Sequence, residues 1–307
     1  MADYTAAGLI EKVRRYAFLP DYDEGSDERL LALLNDAQLD YLQPLLESTR
    51  EEFRTMNLEF PVLPDTLEYE LPARSIAAGM MMLEAVDQQG NVWLMVELRP
   101  QDWPPVGLIQ YPNGPFYVER NVIKFYVQPP QGTLRIRFPV RLSELVLTAS
   151  ASTYRTISTI NFNTDTVTLS GAFTNSDGLC DLVASRPLFS VYAMDATFTG
   201  SGTSTLVFPD GLPADLAVGD YVCQPDTSPV CVAPLECHSL LAQYVAWVTL
   251  QAKGDSKAEA LLQVTEQTKR RVLSLLEPRP SKPRPVINYA APGFLRWTGY
   301  GTRGGVI

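Results

Sequence analysis

The chain has 307 residues, 46% hydrophobic and 20% charged, enough apolar material for two or three compact units and too much for a disordered polymer. Its net charge of −10 excludes a generic DNA-coating protein, because affinity for the phosphate backbone rests on clustered Lys and Arg. Its four cysteines (Cys180, Cys223, Cys231, Cys237) are too few for a disulfide scaffold, Met-Ala-Asp-Tyr does not open a signal peptide, and the roughly 18-residue apolar run of a membrane span is missing, so synthesis in a cytoplasm is expected.

"DYTAAGLIEKVRRYAFLP" predicts a short amphipathic helix with Thr5 as N-cap, Leu9, Ile10, Val13 and Ala17 on one face, and Pro20 as its stop. Ser26 and Asp27 can cap a long second helix, in which Leu30, Leu31, Leu34, Leu42, Leu45, Leu46 and Phe53 recur at helical spacing; Pro44 should kink or break it. From Leu58 the period changes to alternation. "TLEYELP" places Leu67, Tyr69 and Leu71 on one face, "MMMLEAVDQQGNVWLMVEL" reads as two strands around Gln89-Gly90-Asn91, and "FYVERNVIKFYVQP" as a hairpin turning near Arg120 and Asn121. "GTLRIRFPVRL" then alternates Leu134, Ile136 and Phe138 with arginines.

A second β segment, about 150–232, is rich in Thr and Ser, contains no Lys, and has turn signals at the spacing of a small barrel or sandwich. After Pro234, Leu240, Leu241, Tyr244, Val245 and Val248 mark one helical face, and Gly254 can close that helix. "SKAE" (Ser256 to Glu259) has the form of a capping box for a last helix with Leu261, Thr265, Thr268, Val272 and Leu275 along one side, stopped by Pro278. Helices at both ends need partners for their apolar faces, so the expected fold is α+β: one helical bundle built from the two ends, with inserted antiparallel β units and an extended tail. The boundaries are 1–57 (N-terminal helices), 58–148 (first β unit), 149–233 (second β unit), 234–277 (C-terminal helical hairpin) and 278–307 (tail).

Little in the chain asks for catalysis. The single histidine, His238, opens a predicted helix and reads as a structural surface or first-turn residue. Cys231, Cys237 and His238 lack a Cys-x-x-Cys pair and straddle a strand-to-helix junction, so buried reduced thiols are expected there, with no metal. No Gly-x-Ser-x-Gly elbow, phosphate-cradling loop or His-Glu-x-x-His helix occurs. The carboxylates at Asp21, Asp23 and Glu24, and at Glu51 and Glu52, read as a solvated loop and a solvated helix face. No catalytic, cofactor-binding or metal-binding residue is assigned, and the chain is expected not to be an enzyme.

The anomaly is the end, "EPRPSKPRPVINYAAPGFLRWTGYGTRGGVI". Five of the 25 basic residues (Arg279, Lys282, Arg284, Arg296, Arg303) lie beyond Glu277 with no acidic residue among them, which leaves 20 against 35, or −15, in residues 1–277. Pro278, Pro280, Pro283, Pro285 and Pro292 stiffen the segment into an extended strap, and Phe294, Leu295, Trp297 and Tyr300 are large residues in a stretch too irregular to bury them. Disordered tails are poor in aromatics, whereas Trp, Tyr and Arg dominate interface energetics. The strap is read as a segment that orders on another protein.

Several stretches carry a resemblance: "YELPARSIAAGMMMLEAVDQQGN", "GPFYVERNVIKFYVQPPQGTLRIRF", "LPADLAVGDYVC" and "SPVCVAPLECHSLLAQYVAWVTLQAKGD". Together, over about Glu59 to Leu276, they resemble the head-to-tail adaptor (neck, or head-completion) proteins of short-tailed bacteriophages. The resemblance implies a virion structural protein at the neck between capsid and tail, in a ring commonly of twelve copies beneath the portal. It also implies a helical core forming the ring, a β region facing outward or toward tail components such as tube, nozzle or fibres, and a C-terminal extension docked on portal subunits. On that basis Arg279, Lys282, Arg284, Phe294, Arg296, Trp297 and Tyr300 are assigned to portal docking. An acidic body fits a ring through which genomic DNA passes without specific binding. The alternatives are a tail terminator or tail-tube component and, from another class, a virion-associated glycan-binding protein or hydrolase using the second β unit.

Overall fold

Thr5 is in extended conformation and its hydroxyl accepts the Gly8 N–H (3.1 Å), so the first helix, α1 (Ala6–Ala17), starts capped. It ends where Phe18 turns left-handed (φ 52°) and the Leu19 N–H donates to the Arg14 carbonyl. Leu9, Ile10, Val13 and Ala17 are buried. The next helix, α2 (Glu24–Ala37), runs through a π turn (Gln38–Leu42) into α3 (Gln43–Thr49). Pro44 has no N–H to give to residue 40 and its ring crowds that carbonyl; the helix widens just before it and does not break. The computed structural model describes residues 4–19, 24–49, 55–71, 74–76, 82–97, 115–186 and 190–276, with the backbone of 288–289 and 295–296.

Alternating residues next build eight strands: β1 (Thr55–Pro61), β2 (Glu68–Glu70), β3 (Met82–Asp87), β4 (Val92–Leu94), β5 (Val96–Glu97), β6 (Pro115–Glu119), β7 (Val122–Phe125) and β8 (Gly132–Pro139). They form two four-stranded sheets, ordered β1-β8-β3-β4 and β2-β7-β6-β5. Buried Met95 carries the chain from β4 to β5, and so from one sheet to the other. Leu83, Ala85, Phe116, Ile123, Phe125, Leu134, Ile136 and Phe138 fill the core that the sheets share. At the start of β8 a side chain is excluded, since a Cβ on Gly132 would lie 1.9 Å from the Val86 carbonyl oxygen.

The short β9 (Glu144–Leu145) precedes a larger sheet made of β10 (Tyr154–Asn161), β11 (Thr166–Phe173), β12 (Leu179–Val183), β13 (Val191–Thr197), β14 (Thr203–Val207) and β15 (Tyr221–Cys223), in the order β13-β12-β15-β10-β11-β14. Register shifts in β10, β11 and β12 let the sheet bend around Ile157, Phe173, Phe198, Leu206 and Phe208. Then β16 (Thr227–Ser228) pairs in parallel with β9, and the chain closes with α4 (Leu235–Ala252) and α5 (Lys257–Leu276). Beyond these, β17 (Asn288–Tyr289) and β18 (Leu295–Arg296) pair antiparallel.

The expected helical bundle carrying β insertions is overturned: the chain is mostly β, and the helices do not make a core of their own. Leu142, Leu145, Val183, Cys223 and Val230 to Ala233, all from strands or their connections, sit in one buried cluster with α1, α2 and α4. Backbone bonds fix this arrangement, with the Ala6 N–H donating to Pro229 O and the Cys231 N–H to Tyr4 O, both at 2.9 Å. Sheet-derived segments therefore cover helix faces that the sequence pattern paired with other helices. Central placement also explains α4, which buries Cys237, His238, Ala242, Gln243 and Ala246 in addition to Leu240, Leu241 and Val245. Two details concern α5. The Asp255 carboxylate, one residue before the expected cap, accepts the Lys257 N–H (2.9 Å), and Leu275 is exposed while Leu276 packs against the core.

Candidate interaction site

Most of the assigned docking residues (Arg279, Lys282, Arg284, Phe294, Trp297 and Tyr300) lie outside the described residues, as do Asp21, Asp23, Glu51 and Glu52. Arg296 is reached by its backbone alone, opposite Asn288 in the two-residue ladder of β17 and β18. In the same ladder Tyr289 stands opposite Leu295.

The cysteines and His238 are interior groups. All four thiols are free and buried, and desolvation pushes Cys237 up to about 12, where a thiolate is scarce at neutral pH. Cys231 donates to the Gln38 side-chain oxygen at 3.5 Å. Among the described residues no group of three or more His, Cys, Asp or Glu could hold a metal ion, and no helix is long and apolar enough to cross a membrane.

His238 lies in the first turn of α4 and is fully buried, so of the two expected positions the first turn holds and the surface does not; its Nε2 lies 3.0 Å from the Ala233 carbonyl. Burial lowers its pKa to about 4, against an ordinary 6.5. The unfolded chain thus binds a proton below pH 6.5 that the folded chain refuses. The stabilisation is whole above that pH and is lost as pH falls toward 4, by up to about 3 kcal/mol. Urea unfolding at about pH 7.5 and pH 4 should show wild type losing roughly that much more stability than His238→Gln; equal losses would contradict it.

Two features went unseen in the sequence. The first joins the β units. Arg74 is buried, and its guanidinium makes a two-pronged bond to Asp181 (3.0 and 3.1 Å) and a further one to Asp195 (2.6 Å). Asp181 also accepts the backbone N–H groups of Asp195 (2.9 Å) and Asp226 (3.0 Å), so its charge is satisfied from four sides. Burial works to lower the arginine's pKa, but the bond to Asp181 and the nearby carboxylates outweigh it and hold it above its ordinary value. Met194, beside Asp195, packs on the core of the first β unit.

The second feature is an apolar sheet edge. Val92, Trp93 and Leu94 of β4 are 52%, 38% and 58% exposed, and Val96 in β5 is exposed as well. Residues 88–96 contain no charge, the one sequence signal that could have revealed it.

No curated protein matches the chain. The family model described as SU10 adaptor protein matches residues 4–172, from α1 through most of β11 and over more than half of the 307 residues. The chain belongs to the SU10 adaptor protein family, phage structural proteins of the head-to-tail connection.

Proposed function

We propose that copies of this chain form a ring, of twelve by resemblance, beneath the portal, and that residues 278–307 dock on portal subunits through Arg279, Lys282, Arg284, Phe294, Arg296, Trp297 and Tyr300. The observation that carries this reading is the charge division: −15 in residues 1–277, against five cations and no anion in the strap that follows. An inserted β region faces outward or toward tail components, and genomic DNA passes through an opening it does not bind, since an acidic body repels phosphate. Ring closure multiplies weak strap contacts, because each docked strap raises the effective concentration of its neighbours.

The reading is tested on one side chain. Trp297→Ala should weaken association with the portal by about 2 kcal/mol or more, as expected of a buried aromatic anchor. Titration of labelled portal with wild type and variant measures this, and unchanged affinity would remove Trp297 from the interface.

A further inference from the structure

We propose that neighbouring copies of this chain join edge to edge, β4 of one copy against β1 of the next, so that the β1-β8-β3-β4 sheet continues between subunits. The inference rests on the ring reading and deepens it by naming the contact. Among the described residues neither β1 nor β4 has a strand on its outer side. Each such edge presents unpaired N–H and C=O groups to a further strand.

Strand direction permits the join. β1 is antiparallel to β8, β8 to β3, and β3 to β4, so β1 and β4 run in opposite directions. A copy added head to tail therefore presents its β1 antiparallel to the first copy's β4, and the pattern repeats. The devices that usually block such pairing are missing from β4, which has no charge, proline or bulge across Val92, Trp93 and Leu94. On β1 the one charged residue, Glu59, is occupied by Arg135 at 2.6 Å.

The faces match as well. Trp93 pairs with Ala85, which pairs with Leu134, which pairs with Phe60; these residues share the core face, with Leu58 and Met56 further along β1. Continuation would set the exposed Trp93 beside a neighbour's Met56, Leu58 and Phe60 and carry the apolar layer across the boundary.

Charge selects head-to-tail over two-fold pairing. β3 and β4 carry Glu84 and Asp87 with no cation, while β1 and β8 carry Arg135 and Arg137 against Glu59. Arg137 spends its Nε on the Thr55 hydroxyl (3.2 Å), and among the described residues no carboxylate pairs with it. Joining β4 to β1 sets the uncharged β4 beside Glu59, which Arg135 neutralises, with Arg137 one strand further in, whereas a two-fold β4–β4 pair flanks the seam with the Glu84 and Asp87 strands of both copies and no cation on β3 or β4.

Disulfide trapping on the full chain tests this, because the native thiols are buried and reporter cysteines at the surface will dominate. Leu94→Cys is mixed with Asn57→Cys or with Pro61→Cys, positions on the same outer face of the sheet, with and without portal. A disulfide needs Cα atoms within about 7 Å, so it forms only between paired strands. The expected result is a dimer in a mixture and in neither variant alone, and a ladder of multimers when both cysteines are in one chain. Val92→Lys with Leu94→Lys, at exposed positions, should leave the melting temperature unchanged and lower the ladder at least tenfold. Cross-linking of Leu94→Cys with itself as strongly as in the mixtures, or no disulfide in any arm, would overturn the proposal. Portal capture measured in the same samples separates the two readings: capture without disulfides refutes the strand pairing alone, and a ladder without capture refutes portal docking alone.

Discussion

Replacing Arg74 by Met should destabilise the protein by about 3–5 kcal/mol, the cost of leaving a buried carboxylate without its counter-charge. Asp181 is inaccessible to solvent, and two of the four hydrogen bonds it accepts come from the guanidinium. Met fills the volume but returns no charge, so Asp181 and the neighbouring Asp195 would face each other across a desolvated gap. Urea unfolding of the single variant and of Arg74→Met with Asp181→Leu checks the account. The double variant should recover most of the loss, because an apolar pair of similar volume often replaces a buried ion pair at little cost. A single variant within about 1 kcal/mol of wild type would mean that the ion pair does not hold the β units together.

That bond has no local signature. Arg74 and Asp181 are 107 residues apart, and no periodicity or spacing connects them. Local grammar was legible: Thr5 caps α1, Gly90 turns between β3 and β4 with Asp87 accepting the Gln89 and Asn91 N–H groups, and Leu134, Ile136 and Phe138 alternate into the core. The hairpin between β6 and β7 was placed at Arg120, which takes the left-handed conformation (φ 58°) with no glycine to announce it. The global arrangement was misread for one physical reason: an apolar stripe records that a helix face is covered, not what covers it. Connections such as Val230 to Ala233 are too short to show a period, yet they fill the space against α1 and α4 that was given to a helical bundle.

For the interaction surfaces, composition spoke and position did not. The basic, aromatic end stands out because its five cations have no anion among them, a property that survives any folding. The apolar edge at Val92 to Leu94 reads in sequence as an ordinary hairpin strand, since alternation assigns faces within a sheet but cannot tell an edge strand from a central one. Tyr41 stacking on Tyr244 at 4.0 Å, across 203 positions of sequence, was equally invisible.

The largest effect is expected from ending the chain at Glu277. Among the described residues the helices close at Leu276 and the buried clusters are complete without the strap, so the shortened protein should unfold at the same temperature as the full one. It should nevertheless lose the portal. Seven assigned contact residues go at once, among them Trp297, Tyr300 and Arg296, the residue types that carry most interface energy. The most direct measurement is co-sedimentation of assembled portal with the full chain and with residues 1–277 at equal concentration. The account predicts saturable co-sedimentation of the full chain and none of the shortened one; portal binding retained by residues 1–277 would contradict it.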